Sequence, residues 1–239
     1  MNGFKTTRNA VLAQPVPQAT NTYGPVAHET LFERVESEIA RNNWEVDDIS
    51  YRGAMNNDVV IAYYTLATKS NLPVKPMIGI INSYNKTRRV GIACGARVMI
   101  CMNGMISGEA TAAKVHRSKV MDHLDQMIHV TLGSLRKTFG EINKDINDFK
   151  EHRLDGMTEV SHMLGELYVR DSILTPTQAS VVKSEITDSV HFSMKEDTES
   201  FNSWNLYNNV TEALKRSHPL NEFKDYHKVH DYFKNYITI

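Results

Sequence analysis

Eight basic residues fall between positions 75 and 119: Lys75, Lys86, Arg88, Arg89, Arg97, Lys114, Arg117 and Lys119. Glu109 alone opposes them, so the segment carries a local charge of +7. Six of the eight gather in two groups, Lys86–Arg88–Arg89 and Lys114–Arg117–Lys119. Cations at that density bind polyanions, because each phosphate they neutralise releases condensed counterions. Tyr84 stands beside the first group, and Tyr51, Tyr63 and Tyr64 precede it. Their rings are faces on which unpaired bases can stack. The pattern predicts a nucleic-acid-binding surface made of Tyr84, Lys86, Arg88, Arg89, Arg97, Lys114, Arg117 and Lys119, tolerant of sequence and suited to single strands. The alternative is a solvated face neutralised by residues 28–50. There Glu29, Glu33, Glu36, Glu38, Glu45, Asp47 and Asp48 outnumber Arg34 and Arg41, for a local charge of −5.

Catalytic patterns are sparse. The chain has no GxxxxGK[ST] loop to cradle a nucleotide, no GxGxxG turn and no GxSxG elbow. Asp47, Asp48 and Asp58 could be the carboxylates of a metal-dependent nuclease, but no Glu-x-Lys follows them, and turn chemistry is their ordinary use. His116 and His123 are seven apart, too far to chelate one ion as an i, i+4 pair does. His227 and His230, beside Asp225 and Asp231, have helical spacing but no HExxH context. Cys94 and Cys101, seven apart, would point to opposite faces of one strand and read as small buried hydrophobes. Met99, Met102 and Met105 read as core or subunit contact. The expectation is a non-enzymatic protein with no metal and no cofactor.

These residues need elements to position them. Residues 1–25, with three prolines, read as an extended arm. Residues 28–41 place Leu31, Phe32, Val35 and Ile39 on one face of a helix with an acidic exterior. Residues 44–53 alternate Trp44 and Val46, then Ile49 and Tyr51 after a shift of phase, as a strand. Further strands are expected at 58–68, 77–83, 88–94 and, as a fifth strand or bent extension, 97–103, ended by Asn103-Gly104. Tyr84–Thr87 makes a hairpin connection. From Arg117 to Phe149, apolar residues at 124, 128, 132, 135, 139, 142, 146 and 149 mark one long helix with a continuous seam. Thr175-Pro176-Thr177-Gln178 is a capping-box start for a helix running to about Phe192. Residues 203–216 and 221–236 are helical, separated by His218-Pro219. The expected fold class is α+β: an antiparallel sheet of four or five strands flanked by helices, with a long central helix and a helical C-terminal half. Its parts are the arm at 1–25, a core at 26–150 with the basic hairpin and long helix, and a helical region at 151–239.

Composition sets bounds. The chain has 239 residues, 41% of them hydrophobic, enough for a real core. Lys+Arg is 27 against Asp+Glu 28, so uniform basicity is excluded. Mean hydropathy is −0.40 and no apolar run reaches membrane-spanning length. A soluble protein of the host cytoplasm, without a signal peptide, is expected.

Two stretches carry a resemblance. One runs from Gly79-Ile80-Ile81-Asn82-Ser83 through Cys94-Gly95-Ala96-Arg97-Val98-Met99-Ile100-Cys101-Met102-Asn103-Gly104-Met105 to His116-Arg117. The other is Trp204-Asn205-Leu206-Tyr207-Asn208-Asn209-Val210-Thr211-Glu212. Together they resemble a phage/plasmid-like family of unknown function, with its R-V-x-C-x-N and W-x-L-x-N-x-x-T motifs. Here Met99-Ile100 lengthens the Arg-to-Cys spacing, and Ser118 stands where a second His is expected. The resemblance implies a phage or mobile-element origin. The order of elements is also similar to Rad52-like single-strand annealing proteins. That implies single-stranded DNA as partner and homo-oligomers. The leading expectation is a phage-encoded single-stranded DNA-binding protein in recombination, replication or transcription, as an annealing protein or as a cofactor that delivers strands to a phage polymerase or recombination partner. The alternatives are an interaction protein that inhibits a host factor and, third, the nuclease.

Overall fold

The computed structural model describes residues 4–68, 74–99, 104–189, 192–194, 201–217 and 221–238. The chain divides into two compact units. One is built from residues 1–97 and 106–139, the other from 98–105, 140–217 and 221–239.

Nearly all of a six-stranded sheet belongs to the first unit: β1 (Phe4–Thr6), β2 (Val46–Ala54), β3 (Val59–Leu66), β4 (Val74–Ser83), β5 (Val90–Val98) and β6 (Gly104–Lys114). The strands lie side by side in chain order, and β1 through β4 pair antiparallel, with Ile49 opposite Tyr64 and Ile61 opposite Ile81. Short connections from β2 to β3, β3 to β4 and β4 to β5 favour such a path, whereas α1 (Arg8–Leu12) and α2 (His28–Arg41) intervene between β1 and β2. On one face, every second residue of three strands points into a shared core: Val60, Ala62, Tyr64 and Leu66, then Ile78 and Ile80, then Val90, Ile92 and Cys94. The helices α2 (His28–Arg41) and α3 (Val120–Gly133) cover that face with Leu31, Phe32, Val35 and Ile39, and with Val120, Leu124, Met127, Ile128 and Leu132. The shift of phase expected in β2 is a register shift between Val46 and Asp48. It lets both Val46 and the Ile49–Tyr51 pair pack against the core. Cys94 lies in this core, where burial pushes its thiol up to about 12; it behaves as a small hydrophobe. Cys101 lies outside the described residues.

Several expectations are corrected. The sheet has six strands, not four or five. β6 occupies GMISGEATAAK, whose glycines and alanines give no strand signal. Its opening Gly104 was expected to end a strand. β5 runs on through Arg97 and Val98, while 100–103 lie outside the described residues. The expected arm contains β1 and the short helix α1 (Arg8–Leu12). The long helix is two: α3 ends at Gly133 and α4 runs Leu135–Glu151. The break sits at Ser134, whose Oγ donates to the Thr131 carbonyl at 2.7 Å and competes with the helical ladder. The apolar seam is likewise divided. Leu124 through Leu135 belong to the first core, whereas Ile142, Ile146 and Phe149 are buried beyond residue 139, in the second unit.

The second unit is helical: the rest of α4, α5 (Gly156–Gly165), a π-helical turn (Glu166–Arg170), α6 (Pro176–Asp188), α7 (Ser203–Leu214) and α8 (Glu222–Tyr236). The capping box forms as expected. Thr175 Oγ1 accepts from the Gln178 N–H, and the Gln178 side chain accepts from the Thr175 N–H at 2.9 Å. α6 ends at Asp188, short of Phe192. The W-x-L-x-N-x-x-T helix is core. Trp204 stacks on Tyr207, and Phe149 and Phe233 close around Tyr207. Its polar residues serve the helix itself: Asn208 donates to the Trp204 carbonyl and Thr211 to the Tyr207 carbonyl. His227 and His230 do not share a partner: His227 approaches Asp231 at 3.2 Å, while His230 meets Asp145 of α4 at 3.0 Å. Burial alone would raise the Asp145 carboxyl, but the His230 hydrogen bond and the nearby Lys234 hold it below its usual range. Among the described residues, no helix is long and apolar enough to cross a membrane.

Candidate nucleic-acid interface

The first basic group sits on the β4–β5 loop. Asn85 Oδ1 accepts from the Thr87 N–H and hydroxyl, and Ser83 Oγ bonds the Arg88 N–H and carbonyl, which closes the hairpin. Lys86 takes a left-handed conformation at its tip. Lys86 and Arg89 are exposed and Arg88 is half-buried. The second group sits where β6 passes into α3. The Arg117 N–H donates to the Val115 carbonyl at 2.8 Å in a tight turn. That turn sends His116 inward, 5% exposed, and leaves Lys114, Val115, Arg117, Ser118 and Lys119 outside. α3 therefore starts without a side-chain cap, behind three cations.

The two groups lie at the same end of the sheet. A Cβ on Gly91, near the start of β5, would meet Ile81 of β4 at 3.0 Å and the Ala112 carbonyl of β6 at 3.5 Å. The end of β4, the start of β5 and the end of β6 are thus level. Residues 20–28 run across this end. A turn in which the Thr20 N–H donates to the Tyr23 carbonyl starts the segment. Tyr23 Oη donates to the Tyr84 carbonyl at 3.1 Å. The Tyr23 ring lies 6.0 Å from the His116 ring, and Lys86 Nζ sits 4.4 Å above the Tyr23 centroid. The Gly24 N–H donates to the His116 carbonyl at 3.3 Å. The Val26 carbonyl accepts from Asn82 Nδ2 at 2.7 Å, and the His28 N–H donates to Tyr84 Oη at 2.9 Å.

The aromatic part of the expectation is corrected. Tyr84 is 6% exposed, and His28 stacks on its ring at 3.8 Å. Its face is occupied and its hydroxyl anchors a backbone, so it presents no stacking surface to a base. Tyr64 is fully buried and donates to Glu36, Tyr63 is buried and Tyr51 packs on Phe32. The basic residues also separate. Arg97, 12% exposed, donates to Asp48 Oδ2 at 2.9 Å and Thr65 Oγ1 at 3.0 Å. Lys75 pairs with Asp47 at 2.7 Å. Two of the four glutamates of α2 are occupied within its own unit: Glu36 binds Arg8, and Glu38 binds His129 and Arg41. Lys86, Arg89, Lys114, Arg117 and Lys119 have no carboxylate partner among the described residues.

Two imidazoles lie beneath the cations. Burial pushes His28 down to about 4, against the Asn57 backbone and with a smaller contribution from His116. Burial also lowers His116. Both are neutral at pH 7, so the positive charge here comes from Lys and Arg alone. Among the described residues, no cluster of three or more His, Cys, Asp or Glu is placed to hold a metal ion. Two contributors escaped the sequence reading. Val115 is 47% exposed between Lys114 and Arg117, an apolar surface suited to a sugar or base. The Tyr23–His28 segment gave only the signal of Gly24-Pro25.

No curated protein matches the chain, and no solved structure matches it. The model of a domain of unknown function, DUF932, matches residues 18–233, which takes in the segment across the sheet end, both basic groups and nearly all of the second unit. The chain belongs to the DUF932 family.

Proposed function

We propose that this is a non-enzymatic, phage-encoded single-stranded DNA-binding protein acting in recombination, replication or transcription, either by annealing strands or by delivering them to a polymerase. The observation that carries the reading is the set of five exposed cations at one end of the sheet, Lys86, Arg89, Lys114, Arg117 and Lys119, without carboxylate partners among the described residues. A charge-balanced fold disperses or pairs its surface cations. Here Lys75 and Arg97 are paired, and these five converge. Five cations hold phosphates, and Val115 offers apolar contact to a base whose face is unpaired. The test is retardation of labelled single- and double-stranded oligonucleotides at low salt. Arg89→Ala with Arg117→Ala should weaken single-strand binding at least tenfold and flatten its salt dependence by about 1.4 in slope. Unchanged affinity and slope would remove the surface from consideration. Faster renaturation of complementary strands would mark annealing, and retention of a phage polymerase would mark the cofactor role.

A second reading, an interaction protein that inhibits a host factor, draws on Met157, Tyr168 and Val169, exposed along α5 and the π-helical turn. Absence of any oligonucleotide shift at low salt would favour it. The third reading, a nuclease, draws on Asp47, Asp48 and Asp58 for metal, of which the first two pair with Lys75 and Arg97; metal-dependent degradation lost in Asp48→Ala or Asp58→Ala would favour it.

A further inference from the structure

The two basic groups are 25 residues or more apart in sequence, and nothing in the sheet alone obliges them to act together. The segment from Tyr23 to His28 touches both. Toward the hairpin, Tyr23 Oη holds the Tyr84 carbonyl, the Tyr23 ring lies under Lys86, and Val26 and His28 accept and donate to Asn82 and Tyr84. Toward the β6–α3 turn, the Tyr23 ring meets His116 and the Gly24 N–H holds the His116 carbonyl. Gly24 is the closest approach. A Cβ there would stand 2.5 Å from the Arg117 carbonyl oxygen and 3.2 Å from Ser118 Cα, both backbone atoms that cannot swing aside. A glycine at this point lets the segment lie directly on the turn that carries Lys114, Arg117 and Lys119.

We propose that the site is two-armed: Tyr23 and Gly24 are positioning residues that hold the hairpin arm and the β6–α3 arm in fixed register, so that one flexible polynucleotide strand is taken across both. This rests on the functional reading above and adds a requirement to it. The ligand is a strand long enough to reach both arms, and neither a mononucleotide nor a short oligomer suffices. Two weak phosphate-binding arms at a fixed separation act by effective concentration, so the second contact is nearly intramolecular. Affinity then rises steeply once the strand spans both arms. A strand confined to one arm gains nothing from the register.

The test compares two single-stranded probes, one of about 16 nucleotides and one of about 4, on the full chain and on Gly24→Ala and Tyr23→Phe. Neither variant removes a charge. Gly24→Ala pushes the Arg117 turn away from the segment, and Tyr23→Phe deletes only the hydrogen bond to Tyr84. Both should lower affinity for the longer strand, Gly24→Ala by about tenfold or more and Tyr23→Phe by a few-fold, and leave the shorter strand's affinity unchanged. Equal loss on both probes, or no loss on either, overturns the two-armed site. If thermal melting shows that Gly24→Ala does not fold, the same split in Tyr23→Phe decides. Failure of the wild-type chain to bind either probe overturns the nucleic-acid reading itself, an outcome distinct from binding both probes without any effect of the two substitutions.

Discussion

Arg97 and Arg117 show how much a single guanidinium depends on its neighbours. Arg97 lies against Thr65 with Asp48 beside it, so its charge is spent inside the sheet. Arg117 stands on a turn with no carboxylate beside it among the described residues. Arg97→Ala should cost about 1 kcal/mol of stability, because Asp48 is half exposed and water screens the pair, and should leave oligonucleotide affinity within a factor of about two. Arg117→Ala should do the reverse; chemical denaturation and shift assays on the same two proteins check both. In the sequence these residues read alike, as members of one basic run. Only the pairing of β2 with β3 brings Asp48 and Thr65 side by side where Arg97 can reach both, and that cross-strand neighbour is invisible from local spacing. Tyr84 misled for the same reason, since the ring that covers it is His28, 56 residues away. His28 also makes a pH dependence. Its folded pKa of about 4 lies below its ordinary 6.5, so the unfolded chain binds the extra proton first. The contribution of a buried, neutral His28 should be complete above about pH 6.5 and be lost as pH drops toward 4, up to about 3 kcal/mol. Urea midpoints between pH 7.5 and pH 4.5 should follow this curve, and His28→Gln should flatten it.

Elements differed in how plainly they announced themselves. α2 and α6 carry their own signals, an amphipathic stripe and a capping box, and both start where those signals place them. Thr175→Ala should therefore cost about 1 kcal/mol, read as a lowered denaturation midpoint. The bulge in β2 was likewise written in the alternation of Trp44, Val46, Ile49 and Tyr51. β6 was not, since glycine and alanine give a strand no character and its strand state is imposed by pairing with β5. The seam from Leu124 to Phe149 is real as a pattern, yet apolar periodicity continues across Ser134 without registering that α3 ends there. The missing strand matters for function. Without β6 the Lys114–Lys119 group has no reason to lie near the hairpin, and the site splits into two unrelated patches.

For the molecule as a whole, a net charge of −1 conceals a division of labour. The acidic residues of α2 and β2 neutralise Arg8, Lys75 and Arg97 within the first unit, while Lys86, Arg89, Lys114, Arg117 and Lys119, without carboxylate partners among the described residues, gather at one end. Single-strand binding should then show a limited salt dependence. With about 0.7 counterion released per phosphate, the slope of log K against log salt should not exceed about −3.5 for one protomer. A steeper slope from a salt titration would mean that further cations, or further protomers, join the site. The second unit offers a different resource. Its aromatic core around Tyr207 is built from the motif helix α7 and from α4 and α8. The family match spans both units; the W-x-L-x-N-x-x-T stretch packs the core of the second, while the residues assigned to binding lie in the first.

Met55, Asn56 and Asn57, at the turn from β2 to β3, all hold left-handed backbone angles. Three such residues in succession are a reserve of heat tolerance waiting to be released. A non-glycine side chain is crowded in that conformation by about 1 kcal/mol or somewhat more, and asparagine, whose short amide bonds locally, by less. Asn56 is exposed, so Asn56→Gly relaxes the turn without removing core packing. Scanning calorimetry should find the melting temperature raised by about 2 °C. Because Asn56 carries no charge, the hardened protein would keep its oligonucleotide affinity, which makes it the better starting material for every binding measurement above.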